Sequence, residues 1–226
     1  PKKDYGRIYG GFETNAQWYL NDKEIGTKQP EDPLRSNSYL FVNYQIGKWT
    51  AGVQVEGYLQ EALLNYNPNY EGVNLGTYFV NYKSNKFDLT AGHFYEQFGS
   101  GMILRAWESR NLGINTALFG GRVVYRPTND IKLTALYGQQ RSGFKLSDGK
   151  IYGFDSEILL SNALKLEKSD LSLGFSYVGR QEKTDIVNPN FDELTNAFSG
   201  RINYSYDAFY SSLEYNYKSE DAILDR

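Results

Sequence analysis

The chain has no cysteine, one histidine (His93), one methionine and six prolines in 226 residues. Without cysteine there is neither a disulfide framework nor a thiolate metal site. A lone histidine leaves no paired-His metal site and a single candidate for an imidazole base. No apolar run approaches the ~18 residues of a membrane-spanning helix. Basic blocks are also missing: 24 Lys and Arg stand against 27 Asp and Glu, for a net charge of -3. Nucleic acid therefore meets no electrostatic footprint, and no nucleic-acid partner is expected. Cofactor motifs are lacking too, since Gly99-Ser100-Gly101 fits no phosphate loop, dinucleotide fingerprint or nucleophile elbow. No cofactor and no metal are expected. No signal-peptide core precedes Pro1; if the protein is exported, the chain is expected to be its mature form or part of it, and with Pro1 in place of cysteine this segment is expected to offer no lipid attachment point.

What is abundant points to extended structure. Aromatics make up 16% of the chain, with 20 tyrosines, beside 22 glycines, and aromatic side chains suit a pleated surface. The pattern has a period of two. Ile8, Gly10, Phe12, Thr14, Ala16, Trp18 and Leu20 share one face, while Arg7, Tyr9, Gly11, Glu13, Asn15, Gln17 and Tyr19 share the other. Dry rows of the same kind recur: Leu40 to Ile46, Trp49 to Leu59, Tyr78 to Tyr82, Phe87 to Tyr95, Phe119 to Tyr125, Ile131 to Tyr137, Phe154 to Leu160, Leu171 to Tyr177, Phe198 to Tyr204 and Phe209 to Tyr217. Eleven strands are expected, and no dry row contains Asp, Glu, Lys or Arg. The alternate rows carry the charge, including Glu13, Glu56, Arg122, Asp155, Glu157, Arg180 and Arg201.

Alternation alone fits a soluble sandwich as well as a lipid-facing wall. The connections choose between them. Short links at Gly47-Lys48, Lys83 to Lys86, Arg126 to Asp130, Lys165 to Asp170 and Asp207-Ala208 alternate with longer polar loops at 22–35, 60–74, 96–115, 141–150 and 181–193. Tight turns at one end and long loops at the other are the habit of an outer-membrane barrel. Trp18, Trp49, Tyr82, Tyr95, Tyr125, Tyr137 and Tyr177 lie toward the ends of dry rows, where aromatic girdles are expected. His93 falls on a dry row near its outer end, which predicts an interfacial residue rather than a base. The fold expected is all-β: one antiparallel, up-and-down transmembrane β-barrel segment over residues 1–226. Eleven strands cannot close an even-stranded barrel, so an open sheet is expected here, most simply the N-terminal part of a larger barrel, the alternative being an edge sealed by another protein.

The stretch FGSGMILRAWESRNLGIN, residues 98–115, is the densest in unusual residues. It is predicted to hold one or two turns of helix, with Leu104 and Trp107 on one face and Gly113 as cap. Gly99 and Gly101 permit a sharp turn. Loop 96–117 is expected to fold into the lumen or cap it, anchored by Arg105, Glu108 and Arg110 on wall charges, with Trp107 part of the constriction. Lumen acids such as Asp155 and Glu157 are expected to pair with Arg122, Arg180 and Arg201. The polar loops NDKEIGTKQPEDPLR and KTDIVNPNFDE read as solvent-exposed turns.

The run GHFYEQFGSGMILRAWESRNLGINTALFGG, with the N-terminal GRIYGGFETNAQWY, resembles a family of Bacteroidota outer-membrane β-barrel proteins of unknown function. The resemblance implies a Gram-negative outer membrane and brings no catalytic residues. Its expected partners are outer-membrane lipids and other outer-membrane or periplasmic proteins. Two functions follow as expectations: a non-enzymatic scaffold or accessory subunit of an outer-membrane complex for secretion, surface-lipoprotein export or barrel assembly, or a passive or selective pore narrowed by loop 96–117.

Overall fold

The computed structural model describes residues 5–59, 61–63, 70–183 and 193–221. Its long strands are β1 (Arg7–Trp18), β2 (Leu34–Ile46), β3 (Trp49–Leu59), β4 (Gly72–Lys83), β5 (Phe87–Phe94) and β6 (Leu118–Tyr125). They continue as β7 (Ile131–Ser142), β8 (Lys145–Leu159), β9 (Ser169–Gln181), β10 (Leu194–Tyr206) and β11 (Phe209–Lys218). Each pairs antiparallel with the next, giving one 11-stranded up-and-down sheet in chain order. Among the described residues β1 and β11 pair on one side only, so the sheet stays open. No helix among the described residues is long and apolar enough to cross a membrane, which says nothing of strands.

Register follows from turn chemistry. Ile46 pairs with Trp49 across a turn whose Gly47 has φ +55°, and Tyr206 pairs with Phe209 across Asp207 at φ +51°. Two-residue hairpins need such left-handed backbone, and they hold both flanking residues on one face.

The two faces are inverted relative to a soluble β protein. Dry-row side chains remain exposed, Phe12 at 66% and Leu213 at 67% on the edge strands and Phe175 and Ile202 at 48% within the sheet. Glu56, Asp155, Thr134 and Ser176 on the other face are almost fully buried. A continuous apolar face of this size marks a surface meant for another medium. Aromatic contacts band it near both ends: Trp49 with Tyr82 (4.9 Å) and Phe87 with Tyr125 (4.8 Å) toward the turns, Tyr137 with Tyr152 (5.2 Å) and Tyr177 with Phe198 (5.1 Å) toward the loops. Trp18 ends β1 on the loop side, 62% exposed.

Two expectations about the connections need correction. Strand β2 starts at Leu34, well before the dry row that begins at Leu40. Residues 141–150 are no loop: β7 and β8 run on to Ser142 and Lys145 around Gly143-Phe144, with a register shift between Gln139 and Arg141. The bulge breaks the alternation, and the hairpin beyond it is too polar in sequence to leave an apolar row to read. The loop KTDIVNPNFDE lies mostly outside the described residues.

Candidate functional site

Strands β5 and β6 are the shortest of the wall, eight residues each, because the segment between them leaves the sheet and turns inward. Gly99 and Gly101 make the turn at φ +54° and +91°, backbone that glycine adopts without a steric cost. Residues Arg105–Ala106 then return antiparallel to Glu96–Gln97, and Glu108–Ser109 pair with Ile114–Asn115. The helix expected here is absent. Only a single 3-10 turn forms, Arg110–Leu112, capped by Gly113 at φ +64°. The backbone N–H groups find partners across the two short ladders, and Trp107 N–H donates to Thr116 Oγ1 at 3.0 Å. The Leu104 and Trp107 spacing mimicked a helix face without making one.

Apolar packing holds this loop inside. Phe98, 1% exposed, sits with Leu104 and Ala106 against Leu118 of β6, Leu136 of β7, Ile151 of β8 and Val178 of β9. Those four wall residues stand on the otherwise wet rows. Burying a side chain such as Phe98 contributes about 1.5–3 kcal/mol.

Polar contacts then tie the loop to both free edges of the sheet. The Ser100 N–H donates to Glu214 Oε2 on β11 at 3.0 Å. At the other edge Arg110 pairs with Glu13 on β1, donates to Gln54 Oε1 at 3.2 Å, and lies 4.4 Å from the Tyr39 ring centre. Glu108 Oε1 accepts from Asn115 Nδ2 at 3.2 Å and Gln54 Nε2 at 3.4 Å, and is 3.6 Å from Arg110 Nε. Burial opposes the charge on Arg110, but the Glu108 and Glu13 carboxylates outweigh it and hold the guanidinium above its ordinary value.

Two further expectations in the loop region fail. Arg105 reaches no wall carboxylate: its guanidinium lies 4.2 Å from the centre of the Trp107 ring, and both stay within the loop. Tyr95 lies past the end of β5, and its hydroxyl accepts from Asn115 Nδ2 at 3.0 Å instead of joining the outer aromatic band. Burial first, then the Glu108 carboxylate, pushes this phenol up, so it stays neutral. His93 does lie on the outer face, between the Tyr78 and Phe119 rings at 5.0 and 4.9 Å. Its Nδ1 accepts from the Tyr78 N–H at 3.2 Å, near where the β4–β5 ladder ends at Phe79 and Gly92. That position serves the backbone and faces no nucleophile.

The inner wall is laced with ion pairs. Arg122 meets Asp88 and Glu96, each at 3.1 Å. Asp155 takes Arg201 and the Ser176 hydroxyl, Glu157 takes Lys132 at 3.2 Å, and Arg180 takes Asp221 at 2.9 Å and Glu182 at 3.5 Å. No group of three His, Asp or Glu among the described residues could hold a metal ion.

Sequence reading missed the strongest pair. Arg141, on the hairpin read as a loop, grips both Glu56 oxygens at 2.8 and 2.6 Å, and both side chains are 1% exposed. Strands β3 and β7 are four steps apart in the sheet, about 19 Å at ~4.8 Å per step. A direct contact is possible only because the sheet curls and the hairpin leans across. Tyr58, Tyr70 and Phe144 close over the pair with ring centres 4.8–5.8 Å apart. Also missed were Leu118, Leu136, Ile151 and Val178. The available signal was an apolar residue on the wet row of four consecutive strands.

Beneath the loop lie two hollows. One, about 520 Å³, borders β1 to β6 and is lined by Tyr9, Phe41, Asn43, Phe79, Asn81 and the loop residues Tyr95 and Glu108. The other, about 660 Å³, borders β7 to β11 and includes Ser100, Arg201, Tyr210 and Glu214. Residues of the loop thus border both hollows, Tyr95 and Glu108 the first and Gly99 and Ser100 the second.

Among curated proteins no sequence matches the chain. Solved structures with a similar course include Pseudomonas aeruginosa OccK2 (OpdF) in complex with glucuronate, at 11% identity and TM-score 0.42, covering 95% of this chain and 63% of that one. A BenF-like porin from Pseudomonas fluorescens Pf-5 is similar at 11% identity and TM-score 0.42, covering 93% and 66%. Acinetobacter baumannii OccAB3 follows at 12% identity and TM-score 0.42, covering 94% and 65%. The chain spans less than two thirds of the length of each. One family match extends over residues 1–226, and the chain belongs to that family, DUF6029, a family of unknown function.

Proposed function

We propose that the chain builds the wall of an outer-membrane β-barrel in a Gram-negative bacterium of the Bacteroidota, and that its inward loop makes the barrel a narrowed passage for small solutes. The observation that carries this reading is the placement of residues 96–117 inside the curled sheet, fixed at both free edges through Glu13 and Glu214. Exposed apolar rows fit lipid, and a paired, charged inner face fits water. Free strand edges do not persist in hydrocarbon, so both edges of this sheet need pairing partners within the membrane. No reaction is assigned, since His93 faces outward with its Nδ1 on the Tyr78 backbone. The test is single-channel recording of the full-length protein in planar bilayers. Steps of small, uniform conductance are expected, and none at all overturns the reading.

A second reading has its own support. The apolar cluster around Phe98 fills space that a simple water channel would leave open, and β7 and β8 carry their hairpin past the bulge on the loop side. Both suit a scaffold or accessory subunit of an outer-membrane complex. Copurification of a stoichiometric partner after mild extraction favours it, and a barrel that runs alone removes it.

A further inference from the structure

The 520 Å³ hollow has a wall built in an unusual way. Phe79 on β4 faces Gly52 on β3, and Phe41 on β2 faces Gly11 on β1. A methyl group added at Gly52 would run into the Phe79 ring and into Asn43 Oδ1, and one at Gly11 would meet the Phe41 ring at 3.0 Å. Each ring therefore lies sideways across the bare backbone of the neighbouring strand. A phenyl group held flat on the wall presents its face to the cavity, whereas an upright one would present its edge. Tyr9, Asn43, Gly52 and Phe79 stand opposite one another on four consecutive strands, so the platform and its polar neighbours share one level.

The polar groups at this level are neutral and unspent. The Asn43 side chain and the Tyr9 hydroxyl make no hydrogen bond among the described residues. The Asn81 amide N–H groups donate to Asp88, Thr90 and the Leu89 carbonyl, which leaves its Oδ1 as an acceptor. The charges that border the cavity are already used: Arg122 by Asp88 and Glu96, Glu108 by Arg110. Neither charged residue of the lining is unpaired, so an anion finds no free cation within the lining itself.

Flat aromatic faces beside unused amides and hydroxyls, with the charged lining residues already held in ion pairs, match an uncharged ring that carries C–H groups on its faces and hydroxyls on its rim. We propose that this hollow binds a neutral saccharide of one or two pyranose units, stacked on Phe79 and Phe41 and hydrogen-bonded by Asn43, Asn81 and Tyr9. Its volume lies within the ~300–1,000 Å³ of small-molecule pockets. The proposal rests on the barrel reading but not on conduction, so the two fail separately.

The test is saturation-transfer NMR and calorimetry on the full-length protein in detergent, with maltose as the probe and benzoate as an aromatic anion for comparison. Saturable maltose binding without benzoate binding is expected. Asn43→Ala, which removes a side chain with no internal partner, and Phe79→Ala should each weaken it at least fivefold, with unchanged heat-modifiable gel mobility as the check on folding. No transfer to maltose, benzoate binding in its place, or full maltose affinity in folded Asn43→Ala protein overturns the proposal. Maltose binding by a barrel that passes no current leaves it standing and removes the pore.

Discussion

Replacing Arg141 with methionine should be among the most damaging single changes in this protein. The variant leaves the Glu56 carboxylate at 1% exposure with only Gln54 Nε2 and the Tyr58 hydroxyl, both at 2.9 Å, to satisfy it. Removing one partner of a buried pair costs about 3–5 kcal/mol, because the remaining charge stays desolvated. Two surviving hydrogen bonds place this site toward the lower end. Glu56→Gln should cost a comparable amount, since Arg141 would keep its positive charge with only a neutral amide oxygen, the Gly143 carbonyl and two ring faces as partners. The double variant should cost less than the sum of the two, with a coupling toward the upper end of ~0.5–3 kcal/mol. The assay is denaturant unfolding of the four proteins in one detergent, at low salt and at 1 M NaCl. Salt should change the coupling little, as water and ions do not reach the pair. A loss below about 1 kcal/mol for Arg141→Met, or strict additivity, would refute the argument that the pair is buried and mutually dependent.

Other outcomes follow from the same geometry. Phe98→Ala should destabilise the barrel by about 3–5 kcal/mol, since the cavity opens within a packed cluster, and an unchanged unfolding midpoint would place the loop outside. Arg110→Ala frees the loop from Glu13, Gln54 and the Tyr39 ring; single-channel current should rise or flicker, and identical traces would remove the latch at β1. Because the chain has no cysteine, Ser100→Cys with Glu214→Cys gives a clean pair for a short thiol crosslinker, expected to shift gel mobility, whereas no crosslink in folded protein counts against the contact with β11. Brominated lipid should quench Trp18 and Trp49 on the outer face but spare Trp107 in single-tryptophan variants, and quenching of Trp107 would contradict the inward fold.

Sequence by itself determined the wall. A period of two needs only local chemistry, because each side chain meets either the outer medium or the interior and strand geometry fixes which. Eleven strands, their up-and-down order and the two-residue turns at Gly47 and Asp207 were therefore legible, as was the inward-turning potential of Gly99 and Gly101. The inside was decided by tertiary structure. Glu56 and Arg141 are 85 positions apart, and nothing local tells either that the curl of the sheet will bring them together. Leu118, Leu136, Ile151 and Val178 look like errors on wet rows until Phe98 is placed among them. Arg105 and Arg110 are equivalent as letters, yet one rests on Trp107 and the other fastens the loop to β1. Alternation is read one residue at a time, but contacts across a lumen depend on curvature and register accumulated over many strands, which only the folded sheet supplies.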